Sequence, residues 1–178
     1  LQCHDNRITE LNVSNSIELQ DINCLENKIT SLDLSSLENL TILSASFNKI
    51  TQIFFGNISK IKKLELYGNE LTSLDISKLK NLEYLDCYSN KLTELDASNL
   101  IYLEYLRCGG NLLSNLNISN DINLKTLLCM YNELTELDAS NLSNLEWLRC
   151  HDNNLTKLNI ENSNNIIYLN TLQNQYLQ

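Results

Sequence analysis

Asn6, Asn27, Asn48, Asn69, Asn90, Asn111, Asn132, Asn153 and Asn174 follow one another at intervals of 21 residues with no insertion. A spacing held that strictly constrains the fold more than any local motif, because each unit must take an equivalent place in a repeating architecture. The columns around the asparagine repeat too. Leu85, Leu106, Leu127 and Leu148 lie five residues before it, and Cys87, Cys108, Cys129 and Cys150 three before. Leu71, Leu92, Leu113, Leu134 and Leu155 lie two after, followed at once by Thr72, Thr93, Ser114, Thr135 and Thr156. Leu74, Leu95, Leu116, Leu137 and Leu158 complete a unit that reads L-x-x-L-x-C-x-x-N-x-L-T-x-L-D-x-S-x-L-x-x.

Within "WLRCH", residues 147 to 151, strand alternation sends Leu148 and Cys150 to one face and Trp147, Arg149 and His151 to the other. One such strand cannot bury its apolar face alone. Stacked copies can, as parallel strands about 4.8 Å apart with the return segment packed behind them. At the bend after each strand the column asparagine can bond the open N–H and C=O groups of a neighbouring coil, forming a ladder. A 21-residue coil leaves little room for a helix on the back, so turns and short 3₁₀ segments are expected there. Ser16, Asp121 and Ser163 interrupt a back-side leucine column, where a looser outer shell is expected.

The repeated unit resembles the leucine-rich repeat family, whose L-x-x-L-x-L-x-x-N-x-L core is present in about eight successive copies, with a degenerate last one, across residues 1–178. Cysteine or alanine takes the third core position in most copies, and only Leu66 is the family's usual leucine there. The short, asparagine-rich, proline-free repeat is most similar to those of bacterial surface and secreted proteins, internalin-like ones among them. The resemblance implies a single-domain solenoid with a parallel β-sheet on the concave face and turns on the convex face. It also implies a protein ligand and a secreted or cell-surface setting. The chain starts inside a motif, as a cut or processed segment of a longer protein would. Both ends cut through repeats, and edge-to-edge homodimers could form through strands left unpaired there.

Composition narrows the chemistry. With no proline and four glycines, turns must be made by asparagine, aspartate and serine, which disfavours glycine-cradled phosphate sites. A formal net charge of −9 argues against nucleic acid or a polybasic membrane patch, both of which need clustered positive charge. No stretch is long and apolar enough for a membrane-spanning helix. The triplets Cys3-His4-Asp5 and Cys150-His151-Asp152 invite a metal or nucleophile reading. Adjacent strand residues point to opposite faces, so neither Cys-His pair can share a metal ion or act as a dyad. Cys3, Cys24, Cys87, Cys108, Cys129 and Cys150 occupy one inward column with parallel Cβ vectors, a poor arrangement for a disulfide. Six free, buried thiols acting as small hydrophobes are expected. No cofactor or metal is called for.

The outward positions are the ones the repeat does not dictate. The first stripe runs Asp21, Ile42, Lys63, Tyr84, Tyr105, Thr126, Trp147, Tyr168. The second runs Gln2, Asn23, Ser44, Glu65, Asp86, Arg107, Leu128, Arg149, Asn170, and the third His4, Leu25, Ser46, Tyr67, Tyr88, Gly109, Met130, His151, Leu172. Beyond them Asp5, Glu26, Phe47, Gly68, Ser89, Gly110, Tyr131 and Asp152 approach the rim. The candidate protein-binding group is Tyr67, Tyr84, Tyr88, Tyr105, Arg107, Met130, Tyr131, Trp147, Arg149, His151 and Tyr168. Tyrosine, tryptophan and arginine dominate interface energetics, and Arg107 and Arg149 could pair with a partner's carboxylates. Against this, aromatics are comfortable on any sheet surface, where neighbours such as Tyr84 and Tyr105 stack on each other. The readings stand level for a single ring, while a cluster favours recognition because exposed aromatic patches are seldom idle.

An enzyme is not expected. Neither histidine lies in a motif with a nucleophile, and H-E-x-x-H, G-x-S-x-G and phosphate-binding loops are absent. Glu65 and Asp86 adjoin on one stripe, which reads as a solvated acidic spot rather than an acid pair or cation site. Asn-x-Ser/Thr at Asn12, Asn39, Asn57, Asn117, Asn141 and Asn154 follows from composition. The leading expectation is a non-enzymatic module that binds a partner protein through its concave sheet. The alternatives are a targeting arm of a larger secreted effector or enzyme, and a carbohydrate-binding or adhesive surface.

Overall fold

The computed structural model describes residues 1–98 and 100–177. Each coil gives three residues to one parallel sheet, in the order Asp21–Asn23, Ile42–Ser44, Lys63–Glu65, Tyr84–Asp86, Tyr105–Arg107, Thr126–Leu128, Trp147–Arg149 and Tyr168–Asn170. Strand order follows chain order, so the chain winds as a solenoid. The register advances by one repeat at each step: Tyr84 lies beside Tyr105 and Asp86 beside Arg107, Trp147 beside Tyr168 and Arg149 beside Asn170. The stripes read from the sequence are the stripes of the sheet.

The middle residue of each strand from Asp21–Asn23 to Trp147–Arg149 points into the core, while Leu169 of the last strand is exposed. Ile22, Leu43, Leu64, Leu85, Leu106, Leu127 and Leu148 are fully buried, and Cys24, Ala45, Leu66, Cys87, Cys108, Cys129 and Cys150 stack behind them. All six cysteines are free, with Cys3 half-buried and the rest buried. Burial, and then the neighbouring Cys3, pushes the Cys24 thiol up to about 12, and burial pushes Cys150 up to about 11. These thiols stay protonated and pack as small apolar groups.

The asparagine column forms the ladder its position calls for. Asn111 Oδ1 accepts from Leu92 N–H of the preceding coil at 3.0 Å. Its Nδ2 donates to the carbonyls of Cys87 and Cys108, each at 3.0 Å, and of Gly109 at 3.2 Å. The same link to the preceding coil recurs from Asn27 to Asn174. An unmet buried polar group costs about 1–3 kcal/mol, and each amide prevents several. The residue just before each asparagine is left-handed: Asp5, Glu26, Phe47, Gly68, Ser89, Gly110, Tyr131, Asp152 and Gln173 have φ between 52° and 67°. That bend aims the asparagine inward. It strains the non-glycine residues by roughly 1–2 kcal/mol each, which the ladder offsets.

The return side makes turns but no 3₁₀ segment among the described residues; short parallel pairs form there instead. Ser31–Asp33 pairs with Gln52–Phe54, Glu94–Asp96 with Asn115–Asn117, and Glu136–Asp138 with Lys157–Asn159. The D-x-S motif holds these turns, since the Oδ1 atoms of Asp33, Asp75 and Asp138 accept from the N–H of Ser35, Ser77 and Ser140 at 3.0 Å. Bonds from those serines also hold all three carboxyls below the usual carboxylate range. Pairing on this side is interrupted between couples while the long sheet is continuous. The coils therefore spread on the return side, and the sheet is the inner, concave face.

The leucine-column interruptions are not loose where they lie inside the stack. Ser163 is buried, its hydroxyl accepting from Leu142 N–H at 3.0 Å and donating to Ala139 O at 2.7 Å. Asp121 is fully buried, and its Oδ1 accepts from Leu100 N–H at 3.0 Å. Its Oδ2 has no partner. Only Ser16 is exposed. A polar side chain can replace leucine here because backbone N–H groups of the preceding coil face the column.

Candidate functional site

Two groups of aromatic and charged side chains occupy the sheet face. In the first, Phe47, Tyr67 and Tyr88 form an edge-to-face run with centroids 4.6 and 5.4 Å apart. Arg107 lies 4.1 Å from the Tyr88 centroid and 5.2 Å from that of Tyr67, and its Nη1 donates to Asp86 Oδ2 at 3.1 Å. Asp86 also accepts from Tyr88 N–H at 3.0 Å. Beside this group Tyr84 and Tyr105 stack at 4.5 Å with planes 2° apart, as their register requires. Lys63 stands 5.2 Å over Tyr84 and pairs with Glu65 at 2.9 Å, while Ser44 donates to Glu65. Burial, then the neighbouring Tyr105, pushes the Tyr84 phenol up to about 12. Neither phenol of this stack is poised for proton transfer near neutral pH.

The second group lies further along. Trp147 and Tyr168 stack at 5.1 Å, and the Arg149 guanidinium lies 5.1 Å over the Tyr168 ring. His151 Nδ1 is 2.6 Å from Asp152 Oδ2, and Tyr131 meets the imidazole edge-on at 5.2 Å. Arg149 Nε is buried with no acceptor.

Several expectations change. Met130, placed among the contact residues, is buried; Gly109 leaves the space into which its thioether folds, with Sδ 3.1 Å from where a Cβ on Gly109 would stand. Arg107 is occupied by Asp86 of its own chain rather than free for a partner. Glu65 and Asp86 are not a solvated acidic spot, for each has a cationic neighbour and Asp86 is buried. Phe47, a rim residue outside the candidate contact group, is exposed and completes the edge-to-face run. Its signal was an aromatic ring in the left-handed column that Gly68 and Gly110 also occupy.

The Cys-His readings resolve as side chains on opposite faces: Cys150 is buried, while His151 lies on the sheet face against Asp152. Among the described residues no three His, Cys, Asp or Glu side chains gather as metal ligands, and no helix is long and apolar enough to cross a membrane. A return-side cleft of about 360 Å³ lies between Asn115–Asn117 and Glu136–Asp138, where the backbone pairing lapses. It is lined by residues already committed to holding turns, such as Asp138.

A family model described as leucine-rich repeats (2 copies) matches residues 59–100. The functional domain of InlJ from Listeria monocytogenes, described as including a cysteine ladder, superposes with a TM-score of 0.61 at 25% identity, over 90% of this chain and 50% of that one. The fold is that of a leucine-rich repeat solenoid. A leucine-rich repeat protein from Leptospira interrogans superposes more fully, with a TM-score of 0.85 at 23% identity over 100% of this chain and 53% of its own. The chain spans about half the length of the solved structures it matches. No match is found among curated protein sequences. The inward cysteine column gives the likeness to InlJ a physical counterpart, since Cys87, Cys108, Cys129 and Cys150 stack one repeat apart.

Proposed function

We propose that this domain is a recognition module that holds a partner protein on the concave sheet. Leucine-rich repeat domains are commonly protein-interaction modules, and the fold is typically non-enzymatic. The observation that carries the reading is where the aromatic side chains stand. Neither the core nor the ladder requires Tyr67, Tyr84, Tyr88, Tyr105, Trp147 or Tyr168, yet all six lie on one sheet face within six consecutive strands and their bends. Rings pre-packed against one another present area at little entropic cost, which is what a contact surface needs. Tyr131, His151, Arg107 and Arg149 border that area and complete the proposed surface.

The test is a variant with Tyr84, Tyr105, Trp147 and Arg149 replaced by alanine, scored for capture of short peptides selected from a displayed random library on the unaltered domain. All four side chains project from the sheet, so the core stays intact and the melting transition serves as a folding control. Loss of capture is expected. Undiminished capture by the folded variant rejects the sheet face.

A further inference from the structure

The charges of the sheet face are divided along the solenoid. As far as Asp86 it carries Asp21, Lys63, Glu65 and Asp86; from Tyr105 onward its three stripes carry Arg107 and Arg149 and no carboxylate. Arg107 is matched by Asp86, one coil before it in register. Arg149 stands in the equivalent place two coils later, but its preceding neighbour in register is Leu128. Its following neighbour is Asn170, whose Oδ1 already accepts from Leu172 N–H. The guanidinium therefore rests on Tyr168 with a buried N–H unmet.

We propose that Arg149 anchors a carboxylate of the partner protein, an aspartate or glutamate in an extended segment lying across Leu128 and the Trp147 ring. The proposal rests on the protein-recognition reading above and adds the chemistry of the partner. A planar guanidinium with no carboxylate of its own chain matches a partner's carboxylate through two parallel hydrogen bonds from its outer Nη groups. The chain's net charge of −9 repels a polyanion at long range, whereas a single acidic side chain among apolar neighbours fits this spot.

The adjoining stripe supplies the second contact. Thr126 lies in register between Tyr105 and Trp147 and is smaller than either. At about 4.8 Å per strand those rings are roughly 10 Å apart, enough for a branched aliphatic side chain between them. From this slot to the Arg149 position is on the order of 7–8 Å, close to the spacing of residues i and i+2 in an extended chain. The segment recognised is thus acidic at one position and Val, Ile or Leu two residues away.

Short random peptides displayed on phage are selected on the domain, and the enriched peptides are resynthesised with their acid and with the corresponding amide. An array of uronic- and sialic-acid glycans is probed in parallel. The expected result is enrichment of an acid two residues from an aliphatic side chain. Affinity should fall roughly 10- to 100-fold for the amide peptide and for Arg149→Gln. Arg149→Lys should fall in between, because it keeps the charge and loses the fork. Peptides without an acid, or indifferent to Arg149→Gln, overturn the anchor. If those peptides still lose binding to Tyr105→Ala and Trp147→Ala, recognition by the sheet survives alone, and indifference to all three removes both readings. Absence of any enriched peptide, or binding of acidic glycans only, also overturns the proposal.

Discussion

Asp121 and Arg149 lie on opposite sides of the solenoid, with one repeat between theirs, and each buries one polar atom without a partner. Asp121 Oδ2 is sealed among back-side leucines where nothing outside can reach it, and the whole residue is inaccessible. Arg149 is half-buried on the sheet face over the Tyr168 ring, its Nε turned inward and the rest of the guanidinium open to a ligand. The chemical fault is the same and the consequence is not. In the interior an unmet group only subtracts from stability, and the chain answers by protonating it. At the sheet face the outer nitrogens of the same guanidinium remain within reach, so a bound carboxylate can compensate the charge.

The largest effect expected follows from the interior member. Burial pushes the Asp121 carboxyl up to about 7, so between the unfolded value near 3.8 and that value the folded chain holds a proton the unfolded chain has released. The stability tied to this proton is fully present below about pH 4 and is lost as pH rises to about 7, after which the curve is flat. Asp121→Leu restores the column. Leu100 N–H, which also reaches Ala97 O at 3.3 Å, keeps an acceptor. Denaturant unfolding at pH 8 should find the variant more stable by about 2–4 kcal/mol, with the gain shrinking toward pH 4. A gain unchanged across that range would mean that Asp121 is not the group releasing the proton.

Asp86→Ala creates at Arg107 the situation Arg149 already has. It removes a half-buried ion pair and the acceptor of Tyr88 N–H, so a loss of about 2 kcal/mol is expected in the same measurement. Arg149→Gln breaks no ion pair and should cost less than about 1 kcal/mol, the scale of its contact with the Tyr168 ring. Equal losses would remove the distinction between a closed and an open arginine.

Much of this was legible in the sequence because a strict period turns linear spacing into spatial neighbourhood. The step of 21 residues gave the strand register, the inward cysteines, the asparagine ladder and the Tyr84–Tyr105 stack. What the period leaves open is which side chains use each other. Asp86 and Arg107 were adjacent on one stripe in the sequence, yet adjacency could not say whether the arginine turns to its neighbour or to solvent. Met130 read as outward by alternation, and only the space beside Gly109 lets it fold away. Asp121 and Ser163 read alike as gaps. A hydroxyl both donates and accepts within one coil contact, whereas a carboxylate has one oxygen too many.

Leu128→Asp gives the smallest change in stability and decides most about the sheet face. It places an aspartate one coil before Arg149, in the register that Asp86 has to Arg107, and converts the open arginine into a closed one. Leu128 is half-exposed on the sheet face, so little core is lost, and a partly exposed ion pair contributes roughly 0.5–1 kcal/mol. A gain of that size should disappear in the double variant Leu128→Asp/Arg149→Gln, and a double-mutant cycle measures it directly. If Arg149 receives a partner's carboxylate, the new aspartate competes for the same guanidinium, and binding of the selected acidic peptides should fall while Trp147 and Tyr168 are untouched. Stabilisation with binding unchanged would mean that the peptide acid never reached Arg149. Loss of both stability and binding would show that Leu128 itself, rather than the charge beside it, shapes the surface.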